Sequence, residues 1–473
     1  MIRKLFLFSI IFLFAACAVG PDYQRPDVQT PGQWRFADDE KQILINECWW
    51  KQFNDPVLNK LMETALKENK DVLIAAARIE EYRGRFVATR GDLFPKIQGG
   101  LSAEKQRATE QGYAGWPAGV DNPYSTYAAN VSASWEIDFW GKVRRSTESA
   151  RADLLSKEEA HRAVLLSLMA SVVNAYIDLR DYDRQLVIAK ETLETRKDSL
   201  EIYRLRFEAG VISDMELSQM QSEYENTRAT IPKLEKSIAQ QENALNLLLG
   251  RNPGPVERGL TIDQLQLPAV PAGLPSELLS RRPDIRQAEQ DMISANAKIG
   301  VAKAAYFPSL SLTGTYGSAS ADLSNLFSGP AQFWNLGANI TVPIFTAGRT
   351  WGQVKASEAV QKQALLNYVK TILTAFREVE DSLVDQNRTR VQLDALFKQL
   401  TALRNYRDLA RLRYDNGYSS NLEVLDAERN LFNIELNYVQ TRGGLFKALI
   451  NLYKAMGGGW TTDAQLPAES LKK

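Results

Sequence analysis

The chain has 473 residues with 57 basic and 57 acidic side chains. Removing a start segment that contains Arg3 and Lys4 leaves 55 against 57, a balance that gives no electrostatic reason to expect a nucleic-acid partner. One histidine, His161, and two cysteines, Cys17 and Cys48, are too few for a Cys/His zinc centre, so no metal or cofactor is expected. An enzyme has little support for the same reason, because no nucleophile, base or ligand cluster stands out from the helix charges. The length would ordinarily suggest about three domains, yet no Pro/Gly/Ser-rich linker divides the chain, and repeats divide it instead.

Met1 to Ala16 has a basic start, an apolar run from Leu5 to Phe14 and small residues before Cys17, which reads as an export signal and is too short to span a bilayer comfortably. Phe14-Ala15-Ala16-Cys17 resembles a bacterial lipobox, so Cys17 is expected to carry lipid. Ala18, standing where an inner-membrane retention signal would have Asp, directs the anchor to the outer membrane. Once Cys17 is acylated, Cys48 has no cysteine left to pair with.

From Trp49 to Arg85 one amphipathic helical pattern sets Leu58, Leu61, Ala65 and Leu66 on one side. After Phe94-Pro95 the period changes to two. Ile97, Gly99, Leu101 and Ala103 alternate with Gln98, Gly100, Ser102 and Glu104. Beyond a polar loop bearing Tyr113 and Trp116, Tyr127, Ala129, Val131, Ala133, Trp135 and Ile137 alternate with Asn130, Ser132, Ser134, Glu136 and Asp138. A soluble sandwich would show the same period. Strands of about ten residues, a polar set rich in Ser, Asn and Gln, and aromatics near strand ends favour a membrane-crossing hairpin with a wet lumen.

From Lys142 to Ala209 there is no Gly or Pro, and Leu165, Met169, Val172, Tyr176 and Leu179 keep the alternating four-three spacing of a coiled-coil seam. The chain then turns at Arg206–Leu217, where Gly210 can end one helix and Ser213, three residues before Glu216, can start the next. The return helix is expected to kink or break at Pro232. The plan then repeats. Phe307-Pro308 answers Phe94-Pro95, and Leu310, Leu312, Gly314 and Tyr316, then Leu336, Ala338, Ile340 and Val342, mark a second strand pair. Leu365, Val369, Ile372, Phe376, Val379 and Leu383 mark a second seam, and at an offset of 207 the turn Arg413–Asp426 superimposes on the first without a gap. Four strands make no useful barrel, and open edges in hydrocarbon cost several kcal/mol per unpaired group, so closure requires further copies of the chain. That favours a homo-oligomer larger than a dimer.

Several stretches together are highly specific: Val19-Gly20-Pro21-Asp22-Tyr23, Trp49-Trp50 with Asp55-Pro56, Trp135-Glu136-Ile137-Asp138-Phe139-Trp140-Gly141, Arg281-Arg282-Pro283-Asp284-Ile285-Arg286, Val342-Pro343-Ile344-Phe345, and Leu452-Tyr453-Lys454-Ala455-Met456-Gly457-Gly458-Gly459-Trp460. In these the sequence resembles the lipid-anchored branch of the TolC/OprM-type outer-membrane efflux channels. The resemblance implies an α+β membrane protein: a homotrimer whose twelve strands form an outer-membrane β-barrel, continued by a long α-helical barrel in the periplasm. It implies a periplasmic adaptor and an inner-membrane pump as partners, and small molecules as cargo. Protein secretion through the same kind of pore, or a non-conducting tether between membranes, are the alternatives.

The chain order is then a signal peptide at 1–16, an anchored segment with the first helix at 17–92, a strand hairpin at 93–140 and a helical hairpin at 141–250. A connection opening the second repeat follows at 251–304, then a strand hairpin at 305–346, a helical hairpin at 347–457 and a tail at 458–473. The resemblance places the repeated turns at the closed periplasmic tip. Leu422 and Asp426 match its constriction, Glu423 a second acidic ring, and Tyr414 a tip tyrosine that takes part in closure. Glu216 is the repeat equivalent of Glu423, and Asp214 is a secondary candidate beside it. Ser419 stands where some members have an arginine, and Gly443-Gly444 interrupts the pattern of the last helix.

Overall fold

A computed structural model describes residues 18–35, 48–109, 121–268 and 275–458. The signal segment, Cys17, Tyr113, Trp116 and the tail beyond Gly458 lie outside the described residues. The chain divides into two units. One comprises residues 1–27, 78–157 and 288–368, and the other residues 28–77, 158–287 and 369–473.

The first unit is built on a four-stranded antiparallel sheet in the order β1 (Lys96–Gln106), β2 (Tyr124–Ile137), β3 (Ser309–Ser320), β4 (Gln332–Thr341). The register puts Ile97 opposite Ala133, Ala133 opposite Gly314 and Gly314 opposite Leu336, and it aligns Gly99, Val131, Tyr316 and Trp334 in the next row. Side chains opposite one another share a face, so these rows are apolar from edge to edge, and the row Leu101, Ala129, Ser318 and Gln332 on the same face turns polar at β3 and β4. The other face carries rows such as Gln98, Ser132, Thr315 and Asn335. Among the described residues much of the apolar face is exposed, Leu101 by 85% and Leu336 by 78%, and β1 and β4 each present one unpaired edge. The expected strands are therefore present, except that Val342 falls just beyond the end of β4.

Besides a single α-helical turn at Leu278–Arg281, the helices of the described residues are α1 (Pro56–Glu68), α2 (Lys70–Gly91), α3 (Lys142–Glu208), α4 (Asp214–Leu248), α5 (Pro283–Ala304), α6 (Arg349–Asp415) and α7 (Asn421–Ala455). The single pattern expected from Trp49 to Arg85 is three pieces, a 3-10 turn at Trp49–Phe53 followed by α1 and α2. The breaks have local causes. Asp55, fully buried, caps α1 by accepting from the Val57 and Leu58 amides, and it also accepts from the Tyr176 hydroxyl at 2.6 Å and the Leu260 amide at 2.9 Å. At Asn69 the backbone turns extended. Its side-chain oxygen accepts from the Asp71 and Val72 amides, while its amide group donates to the Leu248 carbonyl at 2.8 Å.

α3 and α6 are each 67 residues long, on the order of 100 Å at 1.5 Å per residue. The first seam is buried throughout, from Leu165 to Leu179. It joins Trp49, Phe53, Leu58, Met62, Phe446 and Tyr453 in the main apolar core of the second unit. In the second seam Ile372, Phe376, Val379 and Leu383 are buried, whereas Leu365 and Val369 are half-exposed.

Neither of two expected interruptions breaks its helix. α4 runs unbroken through Pro232, whose exposed position lets water satisfy the carbonyl that the missing amide leaves free. α7 runs through Gly443-Gly444. There a Cβ on Gly443 would stand 3.3 Å from the Asp181 carboxylate, so the glycine serves a close approach to α3.

Candidate gate at the hairpin turns

Both turns fold back as the sequence requires. Gly210 and Gly417 take positive φ of 69° and 77°. In each copy the glycine amide donates three residues back and the next amide five back: Gly210 to Phe207 and Val211 to Arg206, then Gly417 to Tyr414 and Tyr418 to Arg413. This paired closure satisfies carbonyls that the helix end would leave open.

The next helix starts differently in the two copies. The Glu216 amide donates to the Ser213 hydroxyl at 3.3 Å, and the Ser213 amide donates to the Glu216 carboxylate at 2.9 Å, which completes a capping box. Ser420 occupies the same place before α7, yet its side chain makes no cap bond. Only the Ser420 carbonyl is used, accepting from the Glu423 amide at 3.3 Å.

Within the second unit the two turns are tied together. The Arg206 guanidinium donates to the Tyr414 hydroxyl at 2.8 Å and lies over the same ring. The buried Tyr203 hydroxyl donates to the Asn421 side-chain oxygen. Burial, then the neighbouring Tyr414 hydroxyl, pushes the Tyr203 phenol well above its ordinary range. Leu200, Tyr203 and Met220 from the first hairpin enclose Leu425 from the second.

Farther along, the Arg196 guanidinium is 2% exposed. It donates to the Glu223 carbonyl at 2.6 Å, pairs with the Glu223 carboxylate at 3.0 Å and lies over Phe432. Burial lowers the Arg196 pKa and raises that of Glu428, which faces Arg411, Arg196 and Arg407.

Of the candidates named from sequence, Leu422 is 63% exposed at the start of α7, and Glu423 is half-exposed beside it. Asp426 accepts from Arg429 at 2.8 Å and Asn430 at 3.0 Å with 41% of its side chain exposed. These three share one end of one helix with Tyr414 across the turn. Glu216 is held in its cap, and Asp214 is exposed in the first turn of α4. The structure adds Tyr203, Arg206 and Asn421, which sequence reasoning missed. The offset of 207 pairs Arg206 with Arg413, Phe207 with Tyr414 and Asp214 with Asn421. A hydroxyl gained opposite an arginine was the available signal. Among the described residues no grouping of three His, Cys, Asp or Glu side chains is placed to hold a metal ion.

A long-helix hairpin present twice in a chain with a sheet that is mostly apolar on one face and polar on the other is the architecture expected of a membrane conduit. The profile of the outer membrane efflux protein family matches residues 61–251 and 274–458, and the chain belongs to that family. It is 38% identical over 456 residues to the probable efflux pump outer membrane protein TtgC of Pseudomonas putida, covering 95% of this chain and 94% of that protein. It is 34% identical over 471 residues to the probable outer membrane lipoprotein SilC of Salmonella typhimurium, covering 97% and 99%. Its fold superimposes on the Campylobacter jejuni CmeC outer membrane channel with a TM-score of 0.88 at 26% identity, covering 95% and 97%. The protein is the outer-membrane channel component of an efflux pump.

Proposed function

We propose that three copies of this chain close their four-stranded sheets into one twelve-stranded barrel, and that their helical hairpins converge into a tunnel gated at the turns. The observation that carries this reading is the sheet. It has two unpaired edges and one face that is apolar over most of its rows, and such a sheet is stable in hydrocarbon only when other copies supply the missing edges. A barrel of twelve strands can enclose water, whereas eight leave an interior filled with side chains. A periplasmic adaptor and an inner-membrane pump deliver the cargo, and Cys17 carries the lipid that anchors each copy.

At the turns, threefold symmetry sets three copies of Asp426 and Glu423 about the axis. There they lower the energy of cations and repel one another, while Leu422 narrows the passage. Glu216, engaged in its cap, takes no part in the pore. Opening moves the hairpins outward, and the adaptor favours it by binding the open state more tightly. The efflux names borne by the relatives include toluene, an antibiotic and cations. Similar identities to all of them fit a pore that passes whatever small molecule or ion its pump presents.

The test is single-channel conductance in planar bilayers. A small cation-selective wild-type conductance that rises in Leu422→Ala/Asp426→Ala supports both pore and gate. An inserted trimer that conducts in neither form favours a tether.

A further inference from the structure

The polar face of the sheet is not uniform along its length. Its middle rows carry no charge: Gln98, Ser132, Thr315 and Asn335 form one, and Gly100, Asn130, Gly317 and Phe333 the next. Among the strand residues of that face the acidic and basic side chains are Lys96 at the start of β1, Glu136 near the end of β2, and Glu104 near the end of β1 that lies away from the helices.

Two of these are neutralised where the strands meet the helices. The Lys96 ammonium lies 2.8 Å from the Asp92 carboxylate, and the Lys142 ammonium lies 3.1 Å from that of Glu136. Each pair leaves the net charge of the face unchanged. Glu104 is placed differently. It is exposed, stands opposite Thr126 with Ser102 and Gln106 beside it on the same face of β1, and no ion pair or hydrogen bond joins its side chain to another described residue. Lys105, the next residue, belongs to the opposite face, because successive side chains of a strand alternate. Eight residues separate Glu104 from Lys96, about 27 Å along an antiparallel strand at 3.4 Å per residue. That is more than three times the screening length of ~8 Å at physiological salt. The ion pairs at the base of the sheet therefore do not offset the Glu104 carboxylate.

We propose that Glu104 sets the charge preference of the channel's outer mouth, favouring small cations over anions where cargo leaves. The inference rests on the twelve-stranded reading, in which the polar face lines the lumen. Threefold closure brings three copies to one level of a water-filled barrel. Three carboxylates around one aqueous passage lower the energy of a cation and raise that of an anion. Charge selection is then exerted at the outer end of the barrel as well as at the hairpin turns, and it persists when Asp426 is removed from the turns.

The test uses the full-length trimer in planar bilayers under a potassium chloride gradient, in the Leu422→Ala/Asp426→Ala background so that the turns no longer limit the current. Reversal potentials give the ratio of potassium to chloride permeability. Glu104→Gln should lower that ratio severalfold, whereas Asp92→Asn/Lys96→Gln, which removes a neutral pair, should leave it nearly unchanged. Glu104→Cys should match Glu104→Gln. A thiol-directed sulfonate should then restore the cation preference, and a thiol-directed quaternary ammonium should push the ratio toward anions. Lys105→Cys, on the other face, should keep its ratio under either reagent. Cys48 is present in every variant, so the background treated with the same reagents supplies the baseline. A ratio unmoved by Glu104→Gln and by both reagents, with the thiol introduced at 104 shown by mass spectrometry to be modified, overturns the filter and leaves the lumen intact. A thiol at 104 that reacts no faster than one at 105 overturns the placement of this face in the lumen, and the barrel reading with it. Inserted protein that conducts in no variant does the same.

Discussion

The two helical hairpins have the same lengths to the residue, 67 and then 35 in each copy, yet they bury different chemistry. At the common offset of 207, Leu165, Met169 and Val172 fall on Ile372, Phe376 and Val379, so the seam that makes the coil is retained. The first hairpin places ionisable groups inside: Asp181 is 6% and Arg196 2% exposed, at positions where the second has Arg388 and Leu403. The second places an acid at the tip, Asp426, where the first has Gln219. Duplication preserved length and seam because those set the coil. Charge diverged, and with it the task of each hairpin: the first is fastened, and the second carries the candidate pore residues.

The largest effect that can probe this contrast lies at Asp181. It accepts from Gln185 at 2.9 Å, with Lys447 and Asp178 nearby and Gly443 of α7 pressed against it. Burial pushes its carboxyl up to about 6. A raised carboxyl pKa means that the folded chain holds the proton more tightly than the unfolded one. The associated stability is present in full below about 3.8 and is lost as the pH rises through about 6. Moving a carboxyl from about 3.8 to about 6 corresponds to roughly 3 kcal/mol. Asp181→Asn should therefore raise the melting temperature at pH 8 and change it little at pH 4. An equal change at both values would mean that the substitution acts through packing and hydrogen bonding rather than through titration of a buried carboxyl.

A middle-sized effect is expected at the bond that joins the hairpins. Hydrogen bonds to charged groups contribute about 1.5–3 kcal/mol. Tyr414→Phe removes the one from Arg206 while keeping the ring beneath the guanidinium. If the hairpins separate when the pore opens, open probability in bilayers should rise about tenfold or more, since about 1.4 kcal/mol is a factor of ten. An unchanged open probability would mean that the two turns move as one body. The contrast between fastened and movable hairpins would then fail.

The parts of this molecule differ in how far they could be read from sequence, for physical reasons. The strands, the seams and both turns were legible because period two, four-three spacing and Gly-x-x-Ser are local patterns. The breaks at Asn54 and Asn69 were not, because their causes are distant: Asp55 is buried by Tyr176 and Leu260, and Asn69 binds the end of α4. Gly443-Gly444 read as an interruption because its reason, Asp181, lies in another helix. At the candidate gate, Leu422, Glu423, Asp426 and Tyr414 came from family resemblance. Their cross-turn partners Tyr203, Arg206 and Asn421 came only from the fold, which brings together residues more than 200 positions apart.

The smallest effect is also the most direct reading of the two turns, because it compares one substitution at equivalent positions. Replacing a serine that caps a helix costs about 1 kcal/mol. Ser213→Ala removes the acceptor of the Glu216 amide and also the hydroxyl that donates to the Glu216 carboxylate at 3.1 Å. It should speed hydrogen exchange at the Glu216 and Leu217 amides by about fivefold, the factor that 1 kcal/mol gives. Ser420→Ala deletes a side chain that makes no cap bond, so exchange at Glu423 and Val424 should stay within a factor of about two, a few tenths of a kcal/mol. Glu423 is then unengaged by its own helix start and remains available to the passage, whereas Glu216 is not. Equal acceleration at both turns would show that Ser420 caps α7 in solution, and the assignment of Glu423 to the pore would lose its structural basis.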